Sequence, residues 1–191
     1  MDLKPFLKVD GKTALHLARP ELAGPVFEVV DAQREYLREW LPWVDGTKAV
    51  EDTEKFIRES MTHNTDGTRL TTFITFGREV AGSIGVVHFN KEHKRCEMGY
   101  WLRQDLQGRG IMTQACAVFI RHLFKAKDLN RIEILVAKGN QKSRAVPLRL
   151  GFVSEGILRQ SILLYGQFLD VELFSLLRED WEKKESIGHI F

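Results

Sequence analysis

The run Asp105–Ala115, DLQGRGIMTQA, constrains this chain more than any other. It joins a strand-like segment, RCEMGYWL, to a stretch of helical period, and Gly108 and Gly110 stand at the junction. A loop of small residues opening into a helix presents backbone N–H groups that have no partner within the helix, backed by the positive end of the helix dipole. Glycine lets that backbone come close to an anion. The following stretch puts Ile111, Ala115, Val118, Phe119 and His122 on one stripe, widened by Met112, Cys116 and Leu123. Gln114, Arg121, Lys125 and Asp128 fall opposite, which is helical period with one wet face. The junction is either a phosphate cradle or a glycine-rich connection that binds nothing.

Two phosphate motifs do not fit. A P-loop needs GxxxxGK[ST], with its lysine on the phosphates, and no stretch matches. A dinucleotide fingerprint needs a third glycine where this chain has Thr113. Asp128 lies about where the ribose carboxylate belongs, but the polar segment Arg103–Gln107 separates strand from glycines, and no second βαβ half follows. A pyrophosphate cradle at a helix N-terminus, outside the dinucleotide fold, is the reading that remains for a functional loop.

The flanking patterns give the frame. Lys12–Ala18 alternates as a strand, and Pro20 opens a helix over Glu21–Gln33. REYLREWLPW is a second helical piece ending at Pro42; EDTEKFIRESM is a third, capped by Asp52 or Thr53 and ended by THNTDGT. Three β-rich runs between Arg69 and Leu102, turning at Arg78-Glu79 and at KEHK, predict an antiparallel meander. RIEILVA is nearly continuous in apolar residues, the pattern of a central strand buried on both faces. NQKSRAVPLRLG predicts a short helix closed by Gly151, and two strands follow around Tyr165-Gly166-Gln167. The order β, helices, β meander, α, β, α, β, β predicts a mixed α/β sheet. At 191 residues and 43% hydrophobic content it fits one domain, 1–191, with a core of ordinary size.

Composition narrows the partners. A net charge of +2 is too small for a non-specific nucleic-acid binder. The densest basic stretch, Lys138–Arg149, is either a solvated helix face or a phosphate-facing patch. Cys96 and Cys116 form no disulfide framework and read as small core residues. The N-terminal segment lacks an apolar signal region, and no apolar run approaches the roughly 20 residues that span a bilayer. The expectation is a cytoplasmic protein with neither nucleic acid nor membrane as partner. His88, His93 and His122 lack metal-ligand spacing, so no metal is expected.

With those pieces in place, YWLRQDLQGRGIMTQA resembles the core of the GCN5-related N-acetyltransferase (GNAT) superfamily. Its acetyl-CoA loop reads [Q/R]-x-x-G-x-[G/A]; here these positions are Gln107, Gly110 and Met112, the last a departure. QGxGIM is similar to the Rim-type branch that acetylates protein N-termini. EMGYWL resembles the strand before the loop, and NQKSRAVPLRLGF the family's N-x-x-S-x-x-V…LGF helix. REYLREWLPW resembles the branch's acceptor-side helix and LLYGQFLDVELFSLL its closing hairpin. Nearly the whole chain is covered, in family order.

The resemblance implies a mixed, mostly antiparallel sheet with a splayed central strand pair and helices on both faces. It implies transfer of acetyl from acetyl-CoA to a primary amine, by direct attack in a ternary complex without an acyl-enzyme. The acceptor implied is a protein α-amine, such as a ribosomal-protein N-terminus; a polyamine, an aminoglycoside, or a non-catalytic acyl-CoA-binding role are the alternatives. Cofactor contacts fall to Gln107, Gly108, Arg109, Gly110, Met112 and Thr113 at the pyrophosphate. Trp101 and Leu102 supply a backbone N–H near the thioester carbonyl, and Asn140 and Ser143 meet the cofactor arm. Ser143 occupies the position of the acid that protonates the departing sulfur. Asn140 is equally suited to cap its helix. Glu97 is an ionisable group inside an apolar strand, with Gly99 and Trp101 on its face, which makes it a candidate base or a salt-bridged surface residue. Some Rim-type enzymes carry a glutamate near Ile162, which this chain lacks. Trp40, Trp43, Tyr100 and Tyr165 are candidate walls of the acceptor pocket or members of the core. Aromatic residues near the C-terminus offer a homodimer interface.

Overall fold

The computed structural model describes residues 4–186; the two ends of the expected 1–191 domain lie outside that range. Eight strands form one sheet: β1 (Leu7–Lys8), β2 (Thr13–Leu17), β3 (Leu70–Phe76), β4 (Glu79–Asn90), β5 (Arg95–Leu102), β6 (Arg131–Ala137), β7 (Val153–Leu164) and β8 (Gln167–Leu177). Their spatial order is β1-β2-β3-β4-β5-β6-β8-β7. Every neighbouring pair is antiparallel except β5 and β6, which are parallel. Six α-helices are α1 (Ala23–Ala32), α2 (Arg34–Arg38), α3 (Val50–Asp66), α4 (Ile111–Ala126), α5 (Gln141–Arg149) and α6 (Arg178–Ser186). The mixed sheet, the meander and the helix after the glycine loop match the sequence expectation.

One pairing matters most for the site. β5 and β6 are joined only over Arg95–Glu97 against Arg131–Glu133. Beyond Glu97 the two strands separate, although β5 continues to Leu102 and β6 to Ala137. On its other edge β6 pairs along its whole length with β8. The central pair is therefore splayed, and its open end points toward the glycine loop.

The core has two parts, one on each face. The α4 face buries Met98, Ile111, Ala115, Phe119, Leu123 and Phe174, among others. The opposite face packs α1 and α3 on the sheet through Leu22, Val26, Ile57 and Phe73. β5 serves both: Cys96, Met98 and Leu102 point into the first core, while Trp101 packs on the second.

Several boundaries differ from expectation. β6 alternates between buried and half-buried positions rather than being buried on both faces. Its second face carries Arg131 and Glu133, which pair at 2.6 Å, so the apolar run hid a polar stripe. α3 begins at Val50 with Ala49 as N-cap; Asp52 lies one turn in and accepts from the Ala49 and Lys48 N–H groups at 3.0 and 2.8 Å. The helix runs on through THNTD to a left-handed Gly67, because Gly67 is the first residue that ends it without strain. The hairpin turn between β3 and β4 is Gly77-Arg78. β1 is too short to leave a periodic signal, and α6 is largely polar. Trp181 on α6 is buried and stacks on Phe124 at 5.1 Å, so it serves the core rather than an interface. Phe191 lies outside the described residues.

Candidate active site

The loop after β5 is held from both sides. Arg103 pairs with Glu79 and Asp105, each at 2.9 Å, and its N–H donates to Ala81 O at 2.8 Å. A 3-10 turn over Gln104–Leu106 buries Leu106. Gly108 and Gly110 then take φ of +73° and +76°, in the left-handed region. An L-residue in that region costs roughly 1–2 kcal/mol, which explains the residue type. A Cβ at Gly108 meets nothing within 4 Å, so the requirement is backbone conformation and not crowding.

The first carbonyl to close the helix is Gly110 O, which accepts from Gln114 N–H at 3.0 Å. Among the described residues, no protein acceptor meets the N–H groups of Gly108 through Thr113. Gln107 differs from the expectation: its N–H already donates to Gln104 O at 3.3 Å, and its side-chain amide donates to the Tyr36 hydroxyl. That bond, with Gln104 N–H on Gln33 Oε1 at 3.0 Å, ties the loop to α2 and to the end of α1. Arg109 is exposed and outside the cleft wall.

These N–H groups open on a cleft of about 800 Å³. It runs from the loop to the splay of β5 and β6, walled by α2, the end of β5, the start of α4 and α5. Trp40, Tyr100, Trp101, Leu102, Gln107, Gly108, Gly110, Met112, Thr113, Asn140 and Ser143 all line it. Its charged lining residues are Lys142 and Arg149, with no carboxylate beside them. Neither was singled out from sequence, although they sit seven apart in the basic stretch read there as a possible phosphate-facing patch. The open N–H groups, the two cations and the strand gap are the features an elongated pyrophosphate ester needs.

Backbone direction assigns the N–H groups at the end of β5. Since Arg103 N–H points to β4, strand alternation turns the Trp101 N–H to β4 as well. Leu102 N–H and Tyr100 N–H face the gap left by β6. Gly82 permits the tight approach here: a Cβ on it would lie 2.1 Å from Trp101 O.

At the start of α5, Asn140 Oδ1 accepts from Ser143 N–H at 3.0 Å, so Asn140 is the cap. Tyr100 is half-buried, and burial pushes its phenol well above the ordinary tyrosine range. Its hydroxyl bonds Ser143, and both residues line the cleft.

A second cleft of about 460 Å³ lies on the α1–α3 face of the sheet. Trp43, Phe56, Phe73 and Trp101 supply aromatic walls, and Leu41, Tyr100 and Trp101 are shared with the first cleft. The candidate acceptor walls are thus divided: Trp40 lines the first cleft, Trp43 the second, and Tyr100 both. Tyr165 lines neither; its hydroxyl donates to Arg38 O at 2.7 Å and its ring lies under the Arg38 guanidinium, pinning the β7–β8 hairpin to α2.

Glu97 lines neither cleft. It sits where β5 and β6 are still joined, opposite Glu133 and, on β4, His88. Burial, then the Glu133 charge, raises its carboxyl above the usual range, with His88 opposing. The alternative of a salt-bridged surface residue is not met among the described residues: the neighbouring cations Arg95 and Lys94 pair with Glu133 and Asp128. No group of three or more metal-ligating side chains occurs among the described residues, and no described helix is long and apolar enough to cross a membrane.

The chain is similar to known proteins in sequence and in fold. Residues 13–153 match the family described as acetyltransferase (GNAT) domain. YdaF of Bacillus subtilis (strain 168), whose name proposes a ribosomal N-acetyltransferase, is 30% identical over 92% of this chain and 96% of its own length. The ribosomal-protein-serine acetyltransferase of Escherichia coli (strain K12) is 31% identical over 88% of this chain and 94% of its own. The solved structure of the microcin C7 self-immunity acetyltransferase MccE, in complex with acetyl-CoA and AMP, superposes with a TM-score of 0.88 at 27% identity, over 92% of this chain and 98% of that one. With the splayed strand pair, the open loop N–H groups and these relatives together, the chain belongs to the GNAT family and is an acetyltransferase.

Proposed function

We propose that this enzyme transfers the acetyl group of acetyl-CoA to the α-amine of a protein N-terminus, by direct attack within a ternary complex. The observation that carries the reading is the junction of the two clefts at Leu41, Tyr100 and Trp101. The first cleft suits an anionic, elongated donor, and the second, largely apolar and without a carboxylate, suits an acceptor segment that is not cationic. The naming of the Escherichia coli relative for a ribosomal-protein serine supports a protein acceptor.

Acetyl-CoA supplies the activated acetyl group. The N–H groups of Gly108, Gly110, Met112 and Thr113 hold its pyrophosphate, Lys142 and Arg149 add positive charge, and Leu102 N–H polarises the carbonyl. Asn140 and Ser143 border the arm, and the Ser143 hydroxyl is the group nearest to the leaving-sulfur role that the family resemblance gives it. Glu97 accepts the proton of the ammonium by way of water, since it lines neither cleft; an α-amine with a pKa of about 8 needs little help. Both cysteines are buried, and burial pushes the Cys96 thiol to about 12, so neither suits a nucleophile.

A polyamine acceptor calls for carboxylates near the amine, and the walls of both clefts hold none. In this reading the enzyme is one domain, works in the cytoplasm, and dimerises through the exposed apolar side chains of the β7–β8 hairpin, Val153, Leu163 and Phe168.

The test is calorimetric binding of acetyl-CoA to wild type and Gly110→Trp, followed by release of free CoA on adding a mixture of peptides with free N-termini. Binding that is lost in the variant, with release in wild type, is the expected result. Binding without release for any peptide would leave an acyl-CoA-binding protein instead, and no binding would overturn the reading.

A further inference from the structure

The second cleft carries an inference that rests on the protein N-terminus reading and goes beyond it. Its floor is bare backbone. Gly85 and Gly99 face each other directly across β4 and β5 and line the cleft together. The two glycines are not equivalent. A Cβ on Gly85 would fall 2.4 Å from Leu70 O, so that position is fixed by the approach of β3. A Cβ on Gly99 would meet only Val87 Cγ2 at 3.3 Å, and Gly99 does not have positive φ. That contact is tight, but it is with an exposed side chain that can shift and not with backbone, so what a bare Gly99 provides is room on the cleft floor.

Two polar features stand over that floor. Thr53 is 4% exposed and lines the cleft, and its Oγ1 is buried with no hydrogen-bond partner. A buried hydroxyl left unsatisfied is costly, which points to a ligand atom that completes it. Arg69 is exposed, is the one charged residue in the lining, and has no ion-pair partner among the described residues. An apolar floor with aromatic walls and one cation excludes a positively charged neighbour of the amine and attracts a carboxylate farther along the acceptor.

We propose that this cleft makes the enzyme selective for N-termini whose first side chain is large and uncharged and which carry acidic residues shortly afterward. Gly99 sets the size that is accepted, and Arg69 sets the charge.

Four peptides test this, beginning Phe-Gly-Glu-Glu, Phe-Gly-Lys-Lys, Ser-Gly-Glu-Glu and Ser-Gly-Lys-Lys, with kcat/KM read from CoA release. Wild type is expected to favour phenylalanine over serine and glutamate over lysine, each by about tenfold or more. Arg69→Glu reverses the charge preference and leaves the phenylalanine-to-serine ratio alone. Gly99→Val fills the floor and brings that ratio down at least fivefold, while acetyl-CoA affinity, measured separately, stays near wild type and shows that the variant is folded. Should Gly99→Val lose acetyl-CoA binding, Thr53→Val and Gly99→Ala carry the size test by the same ratio. Serine peptides acetylated as well as phenylalanine peptides, or a charge ratio unmoved by Arg69→Glu, would overturn the selectivity and leave the protein N-terminus reading standing. No acetylation of any of the four would overturn both.

Discussion

The Tyr100 hydroxyl donates to the Ser143 carbonyl at 3.0 Å and accepts from Ser143 Oγ at 3.3 Å. This link spans the gap between β5 and α5, and Pro147 makes it available. In a regular helix the N–H four residues on would take the Ser143 carbonyl, but that residue is Pro147, inside α5, and it has none. Tyr100→Phe is expected to cost about 1–2 kcal/mol, the net worth of two hydrogen bonds. At this chain length that is a fall in Tm of about 2–4 °C per kcal/mol. Pro147→Ala restores an N–H to the same carbonyl, so the double variant should lose less than the sum of the single changes. A thermal-unfolding double-mutant cycle that proved additive would show that the two residues do not share that oxygen.

Glu97 and Ser143 serve opposite ends of the proposed transfer, and their variants should separate in pH. With Glu97 as proton acceptor, kcat/KM rises with pH as its carboxyl, raised by burial and by Glu133, gives up its proton. Glu97→Gln should lower turnover and remove that acid limb, with acetyl-CoA affinity near normal. Ser143→Ala should lower turnover and keep the limb. An unchanged pH–rate profile in Glu97→Gln would take the base role from it.

Glu155 reports on how the sheet is closed beyond β6. Its carboxylate receives both Arg131 terminal nitrogens, one at 2.6 Å, and Ser175 Oγ at 2.6 Å. Arg131 first, then Ser175, lowers its pKa from 4.5 to about 2. Because the folded value lies below the unfolded one, the contribution is complete above the ordinary carboxylate pKa and disappears as pH falls toward 2. Urea unfolding of wild type and Glu155→Gln should therefore differ at pH 7 and converge at the acid end. Curves that stayed apart there would locate the effect in packing rather than charge.

Gly82→Ala tests the close approach at the end of β5. The added Cβ would lie 2.1 Å from Trp101 O and 3.0 Å from Leu102 Cα, both backbone atoms. A loss of about 1–3 kcal/mol is expected, with weaker turnover because Leu102 N–H is displaced. Gly24→Ala in α1 is the control: nothing lies within 4 Å, and removing a helical glycine should gain about 0.5–1 kcal/mol. Equal effects from both substitutions would rule out crowding at Gly82.

The features legible in the chain alone are local ones. A strand's alternation, a helix's apolar stripe and a glycine's tolerance of positive φ depend on near neighbours, so the meander, α4 and the Gly108–Gly110 loop are legible in the residue order. The Asn140 cap was legible for the same reason. The rest depends on contacts between elements far apart in the chain. The splay after Glu97 is a relationship between β5 and β6, strands separated in the chain by the loop and the whole of α4, and no window of sequence contains both partners. The second cleft joins α1, α3 and three strands, so Thr53, Arg69 and Gly85 gave no signal as a group. The polar face of RIEILVA was hidden because its partners, Arg95 and Glu155, lie 38 and 24 residues from Glu133 and Arg131 respectively. Even Pro147 reads locally as a flaw in a helix; its consequence appears only when Tyr100 arrives from another element to take the carbonyl it leaves open.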